Sequence, residues 1–169
     1  MAESLYFAYG ERNPEAIRAI LGHYVSCEPA VLPEYQLGIQ IGLDIPQNVR
    51  DILAVNRTDE EMANFAAYVA IPSEGSHVIG MVAKVDNDDL ALLDNWDIEG
   101  LWFTREDQKT VLIGPTLRLG MASVHSKPTG LVTPIESPDY DDHFPAPLND
   151  PVRTKEIAHL SRLAFLEER

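Results

Sequence analysis

Apolar positions along this chain fall into short runs of strand character, interrupted by a few stretches with helical spacing. Leu5-Tyr6-Phe7-Ala8-Tyr9 is an aromatic-rich run ended by Gly10, as expected of a strand entering a loop. Asn13-Pro14-Glu15 follows, with a capping residue, a proline for the first helical position and an acid behind it. Ile17, Ile20, Leu21 and Tyr24 then recur at i, i+3, i+4 and i+7, the apolar face of a short helix.

Ala30-Val31-Leu32 and Tyr35-Gln36-Leu37-Gly38-Ile39 read as extended segments. Asp44 to Asn64 is polar and weakly periodic, an excursion with one short helix expected around Asp59 to Phe65. Ala66 to Ile71 and His77 to Val85 flank Pro72-Ser73-Glu74-Gly75-Ser76, which predicts a hairpin. Asp86-Asn87-Asp88-Asp89 before Leu90, Leu92 and Leu93 predicts a capped amphipathic helix. Leu101 to Thr104, Thr110 to Ile113 and Leu117 to Val124 read as strands. Lys127 to Pro151 is a proline-rich loop, and Thr154 to Glu168 a closing helix. Few helices among many short strands predict an α+β fold, a mixed sheet or small barrel with peripheral helices. With no repeat and no linker, residues 1–169 are expected to form one domain.

Composition narrows the function classes. Apolar residues make up 45% and charged residues 24% of the chain, the usage of a globular protein. The 27 acidic against 13 basic residues leave a net charge of −14. Phosphate backbones are bound by Lys and Arg, so nucleic acid is not an expected partner. No apolar run approaches membrane-span length, and Met1-Ala2-Glu3-Ser4 lacks the basic start of a signal peptide. Cys27 is the lone cysteine and fits a reducing compartment. A soluble cytoplasmic protein acting on a small molecule is the expectation, its oligomeric state open.

Familiar catalytic and metal motifs are absent. Counting a calcium loop from Asp86 places Leu90 and Ala91 where a ligand and a glycine are needed. Asp141-Asp142-His143 reads as a solvated acidic loop, and no histidine pair has helical metal spacing. Ser4, Ser76 and Ser123 lie outside any nucleophile-elbow context, and no phosphate-binding or dinucleotide fingerprint occurs. Neither metal nor cofactor is expected.

Two segments carry more. Tyr6-Phe7-Ala8-Tyr9-Gly10 delivers a glycine into a loop that opens a helix, where backbone N–H groups can hold a carboxylate. Val78-Ile79-Gly80-Met81-Val82-Ala83-Lys84-Val85 leads through the capped helix to Leu93-Asp94-Asn95-Trp96-Asp97-Ile98-Glu99-Gly100. In this order, over residues 5 to about 120, they resemble the γ-glutamylcyclotransferase-like (AIG2-like) family, with its Y-F-A-Y-G-S-N, V-x-G-x-V-x-x-V and L-D-x-x-E-G segments. The resemblance implies a small mixed β-barrel flanked by helices with a pocket at one end. It also implies a reaction, attack of the α-amine of a γ-glutamyl group on its own γ-carbonyl, releasing 5-oxoproline and an amine. A free α-amine titrates at about 7.7–8.0, so a pocket carboxylate that takes its proton suits this chemistry.

The resemblance assigns the acid/base role to Asp97 by ungapped counting, or to Glu99 when counted back from Gly100 and Phe103-Thr104-Arg105. Glu99 is preferred for its reach. Tyr9, Gly10, Glu11, Arg12 and Phe103 would bind substrate. Glu11-Arg12 stands where the family has Ser-Asn, so Glu11 brings a negative charge to a carboxylate-binding loop and Arg12 is available to offset it. A non-catalytic binding protein that retains the fold is the alternative.

Overall fold

Two long strands organise the chain: β2 (Cys27–Ile41) and β3 (Ala66–Val85), antiparallel along nearly their whole length. The structure is a computed structural model and describes residues 3–138 and 151–168. The remaining strands are β1 (Ser4–Ala8), β4 (Thr104–Leu112), β5 (Arg118–Ser126) and the two-residue β6 (Thr133–Pro134). Their order is β3-β1-β5-β4-β2, and β2 pairs back to β3, which closes a five-stranded barrel, with β6 attached to β2. The β1–β5 pair is parallel and the rest are antiparallel, so the barrel is mixed, as expected.

The expected hairpin at Pro72 to Ser76 does not form. Both apolar runs pair with β2, and the turn-rich residues bulge where the register shifts between Pro33 and Tyr35. Glu34 stands there at φ 64, and its carboxylate accepts the Gly75 N–H at 2.9 Å. A bulge bends a strand without ending it, which lets one strand serve two sides of a small barrel. Three other expected strands are fragments: Ala30 to Ile39 is all β2, and Thr110 to Leu112 is the end of β4, with Ile113 just beyond it. Leu101 to Thr104 is mainly a turn.

The helices are α1 (Pro14–Leu21), α2 (Gln47–Leu53), α3 (Asp59–Ala63), α4 (Asn87–Trp96) and α5 (Pro151–Glu167). Asn13 caps α1 with Pro14 at its start, and Asp86 caps α4 reciprocally with Asp89, as read from the sequence. α2 was not foreseen. The acidic run from Asp139 to His143 lies outside the described residues. No helix among those described is long and apolar enough to cross a membrane.

Alternation along β1 divides the core. Phe7 and Tyr9 point into the barrel with Leu32, Leu37, Val82 and Val124. Tyr6 and Ala8 face outward beneath Ile17, Ile20, Leu21, Leu90 and Leu93 of α1 and α4. A third cluster holds Ile45, Val49 and Leu53 of the 44–64 excursion against Val69, Trp102 and Phe103. The excursion is therefore a packed wall of the barrel.

Gly80 makes the β1–β3 contact possible. A Cβ there would run into the Ala8 carbonyl oxygen and come within 2.8 Å of the Phe7 ring. Backbone oxygen cannot swing aside, and overpacking of this kind costs about 1–3 kcal/mol. Gly80→Ala should lower the denaturation free energy by that amount. Gly114→Ala, whose nearest neighbour is 3.7 Å away, should change it by less than about 0.5 kcal/mol in the same urea titration.

Candidate functional site

The β1–α1 loop turns sharply at Gly10, which sits at φ 64 with the Tyr68 Cβ 2.5 Å from where its own would be. The Arg12 N–H donates to the Tyr9 carbonyl at 3.2 Å and closes the turn. That turn carries the Arg12 side chain inward until 5% of it is exposed. Its guanidinium lies 5.1 Å from the Phe103 ring centroid and 5.6 Å from that of Tyr9. Its Nη2 donates to Asp97 Oδ1 at 2.6 Å, while its buried Nε–H finds no acceptor.

Asp97 ends α4, and its N–H donates to Leu93 O at 3.0 Å. A carboxylate at a helix C-terminus opposes the helix dipole, and this one is only 2% exposed. Cations make the position tenable. Arg12 holds Oδ1, and His125 Nδ1 lies 2.9 Å from Oδ2, with the Tyr6 hydroxyl 3.4 Å from the same oxygen. Burial alone would raise the Asp97 carboxyl, but Arg12 and His125 hold it down at about 2. Burial opposes charge on His125, yet Asp97 and Asp94 raise it above its ordinary value. Its Nε2 lies 2.8 Å from Asp94 Oδ1, which also accepts the Arg105 Nε–H at 2.8 Å. Arg12, Asp97, His125, Asp94 and Arg105 thus form a chain of alternating charge from the interior to the half-exposed surface.

Glu11 stands on the other side of Arg12. Its Oε2 accepts the Tyr68 N–H at 3.3 Å, and its Oε1 lies 3.5 Å from Arg12 Nη1. Burial raises its carboxyl above the usual range, against the pull of Arg12. Glu11, Arg12 and Asp97 together form one end of a cavity of about 310 Å³. The apolar wall includes Phe65, Trp96 and Trp102, and the rim is shared by α1, the 44–64 excursion and the start of α5.

Against this geometry, no protein-family model matches the sequence. A search of the curated proteins gives no match. Solved structures do match. A γ-glutamyl cyclotransferase superposes with a TM-score of 0.58 at 16% identity, over 96% of this chain and 99% of its own. An AIG2-like protein from Mus musculus gives 0.57 at 16% identity, over 88% and 95%. A protein of Arabidopsis thaliana gives 0.53 at 20% identity, over 99% and 89%. The chain has the γ-glutamyl cyclotransferase-like fold.

The structure brings only part of the expected set together. Glu11, Arg12 and Asp97 line the cavity. Glu99 is exposed in the turn after α4, with its backbone N–H on Asp94 O, so its longer side chain does not reach Arg12. Tyr9, Gly10 and Phe103 are not in the cavity wall. Tyr9 donates its hydroxyl to His125 O at 2.7 Å from within the barrel, and Phe103 is fully buried beneath Arg12. Tyr9 and Phe103 lie against the Arg12 guanidinium, and Gly10 makes the turn that carries it inward. Tyr6 and His125 were not singled out from the sequence. The available signal was a histidine and two serines breaking the apolar run of β5, Met121 to Ser126. Among the described residues no group of three or more His, Cys, Asp or Glu side chains could hold a metal ion.

Removing one partner of a buried ion pair strands the other, at about 3–5 kcal/mol. Asp97→Asn should lower the denaturation free energy by that order, while Glu99→Gln should change it by less than about 0.5 kcal/mol. Asp97 is depressed in the fold, so its contribution is complete above its ordinary 3.8 and is lost as pH falls towards about 2. His125 is raised, so its contribution is complete below its ordinary 6.5 and is lost as pH rises through the folded value. Urea midpoints measured across pH should show both limbs, and His125→Gln should lack the alkaline one.

Proposed function

We propose that the Arg12 end of the cavity takes the amino-acid head of a γ-glutamyl compound and cyclises it to 5-oxoproline. The observation that carries this reading is one buried guanidinium flanked by two carboxylates, Asp97 and Glu11, at the end of a cavity. A zwitterionic head has the complementary charges, an α-carboxylate for Arg12 and an α-ammonium for the acids. The shared fold with a γ-glutamyl cyclotransferase supports the same assignment by analogy.

The two acids divide the work. Both Asp97 oxygens are engaged and the carboxyl is held at about 2, far below an amine at about 7.7–8.0. Asp97 fixes Arg12. Glu11 is nearer in proton affinity to the amine and less enclosed, at 23% exposure. It takes the ammonium proton, and the freed nitrogen attacks the γ-carbonyl. Glu11 passes that proton to the departing amine as the carbon–nitrogen bond to the leaving group breaks, and the second proton, shed by the ring nitrogen, follows the same path. The products are a neutral lactam N–H and an ammonium, so no water is consumed. Holding the chain folded for ring closure supplies much of the remaining acceleration.

Glu11→Gln should lower 5-oxoproline formation from a γ-glutamyl amine by about 10²–10⁴-fold, with the melting temperature unchanged. Glu99→Gln should leave the rate intact. A larger loss of rate in Asp97→Asn, after correction for folded fraction, would return the proton-transfer role to the helix end. One observation favours a second reading, in which the site only binds: Asp97 is already saturated by Arg12, His125 and Tyr6. Calorimetric binding of γ-glutamyl compounds without any 5-oxoproline would select that reading.

A further inference from the structure

The cavity contains a second guanidinium that the reaction above does not use. Arg57 follows α2 in the 44–64 excursion and is half-buried, with its Cζ 5.1 Å from the Phe65 ring centroid and 5.6 Å from that of Trp96. Cation–π attraction to both rings holds the group against this wall. Its Nη1 donates to Leu53 O at 3.1 Å, which secures one edge.

No carboxylate among the described residues comes within ion-pair distance of Arg57. The candidates are otherwise engaged or remote. Glu61 is gripped by Arg153, whose Nε and Nη2 donate to its two oxygens at 2.7 and 2.9 Å. Glu15 faces Lys155 at 3.4 Å, and Asp97 and Glu11 belong to Arg12. Glu60 is on the same cavity wall but exposed and makes no ion pair with Arg57. Burial, with Arg153 adding to it against the partial relief of Glu61, lowers the Arg57 guanidinium to about 10.

We infer that Arg57 is the receptor for a ligand carboxylate at the part of the cavity away from Arg12. A partly desolvated guanidinium, anchored at one nitrogen by Leu53 O and contacting two rings, presents a planar fork that a carboxylate matches with two parallel hydrogen bonds. Trp96, whose ring Arg57 contacts, directly precedes Asp97, which holds Arg12, so both cations are tied to the same end of α4. Taken with the Arg12 reading, on which the identity of the ligand rests, Arg57 is the residue that would hold a carboxylate borne by the leaving amine. The cation site stands without that reading. The protein's net charge of −14 repels anions at long range, so a preference for a carboxylate would have to come from a local cation.

Two matched probe pairs separate the claims. N-Hexanoylglycine and N-hexanoylglycinamide differ only in carboxylate against amide and lack the glutamyl head. γ-Glutamylglycine and γ-glutamylglycinamide repeat that difference with the head present. Calorimetry on the wild-type protein should show the acid of the first pair binding about tenfold or more tightly than the amide, the range for a charge-assisted pair. The KM ratio of the second pair should follow. Arg57→Met, which keeps apolar bulk between the rings, should make each pair equal. Arg57→Lys should keep part of the preference, and a thermal melt of each variant checks its fold. Equal binding of acid and amide by wild-type protein, or a preference that survives in folded Arg57→Met, would overturn the inference. If no 5-oxoproline forms while N-hexanoylglycine still depends on Arg57, the Arg57 site is upheld and the cyclisation reading fails.

Discussion

The buried contact between Arg12 and Asp97 is the constraint on which this end of the molecule depends. Neither charge could occupy its position alone. Asp97 stands against the negative end of α4 with almost no access to water, and Arg12 is turned into a shell of aromatic rings. Desolvating either ion by itself would cost several kcal/mol. Together they extend into an alternating series, Glu11, Arg12, Asp97, His125, Asp94 and Arg105, drawn from the first loop, the end of α4, and strands β4 and β5. The series sums to neutrality when His125 is protonated. Such a network specifies relative placement more sharply than apolar contact, because a shift of an ångström leaves a charge unpaired.

That placement needs the barrel behind it. The register of β1 on β3, with Ala8 opposite Met81, sets where Gly10 leaves the sheet. The capping box at Asp86 and Asp89 sets where α4 begins, and its length then sets where Asp97 ends it. The 44–64 excursion, packed through Ile45, Val49 and Leu53, supplies the opposite cavity wall and places Arg57 and Phe65 there. The barrel thus contributes the Arg12 side of the cavity, and the excursion contributes the side that would meet the rest of a ligand.

Much of the fold was legible in the sequence because local signals agreed with global packing. Asn13-Pro14 and the Asp86 cap are short-range devices, and both behave as their chemistry dictates. Pro72 to Ser76 misled because turn chemistry does not distinguish a hairpin from a bulge. The difference is made by β2, a partner strand far away in the chain. The site was legible in outline for the same reason: the ordered segments place Gly10 and Asp97 at one rim. Glu99, preferred from the sequence for its reach, stands exposed in the turn of residues 97–100, while Asp97 is buried against Arg12. Side-chain length says nothing about that. His125 gave a weak signal because a buried histidine in a strand reads as any interruption of an apolar run until its two carboxylate partners are seen together.

The departures from the γ-glutamylcyclotransferase-like pattern make physical sense as one change. An aspartate at the end of α4 is a methylene shorter than the glutamate that the sequence resemblance implies there. The long guanidinium of Arg12 spans that deficit and reaches Asp97 at 2.6 Å. Once paired, Asp97 is too acidic for proton transfer at neutral pH. The adjacent Glu11 presents a second carboxylate to the cavity, held by the Tyr68 N–H and raised in proton affinity by burial. Replacing only the serine would place an acid there with no nearby cation to tolerate it. Replacing only the asparagine would leave the guanidinium paired with Asp97 and no free acid beside it. Glu11 and Arg12 are intelligible as a pair, and Asp97 is the residue that makes the pair necessary.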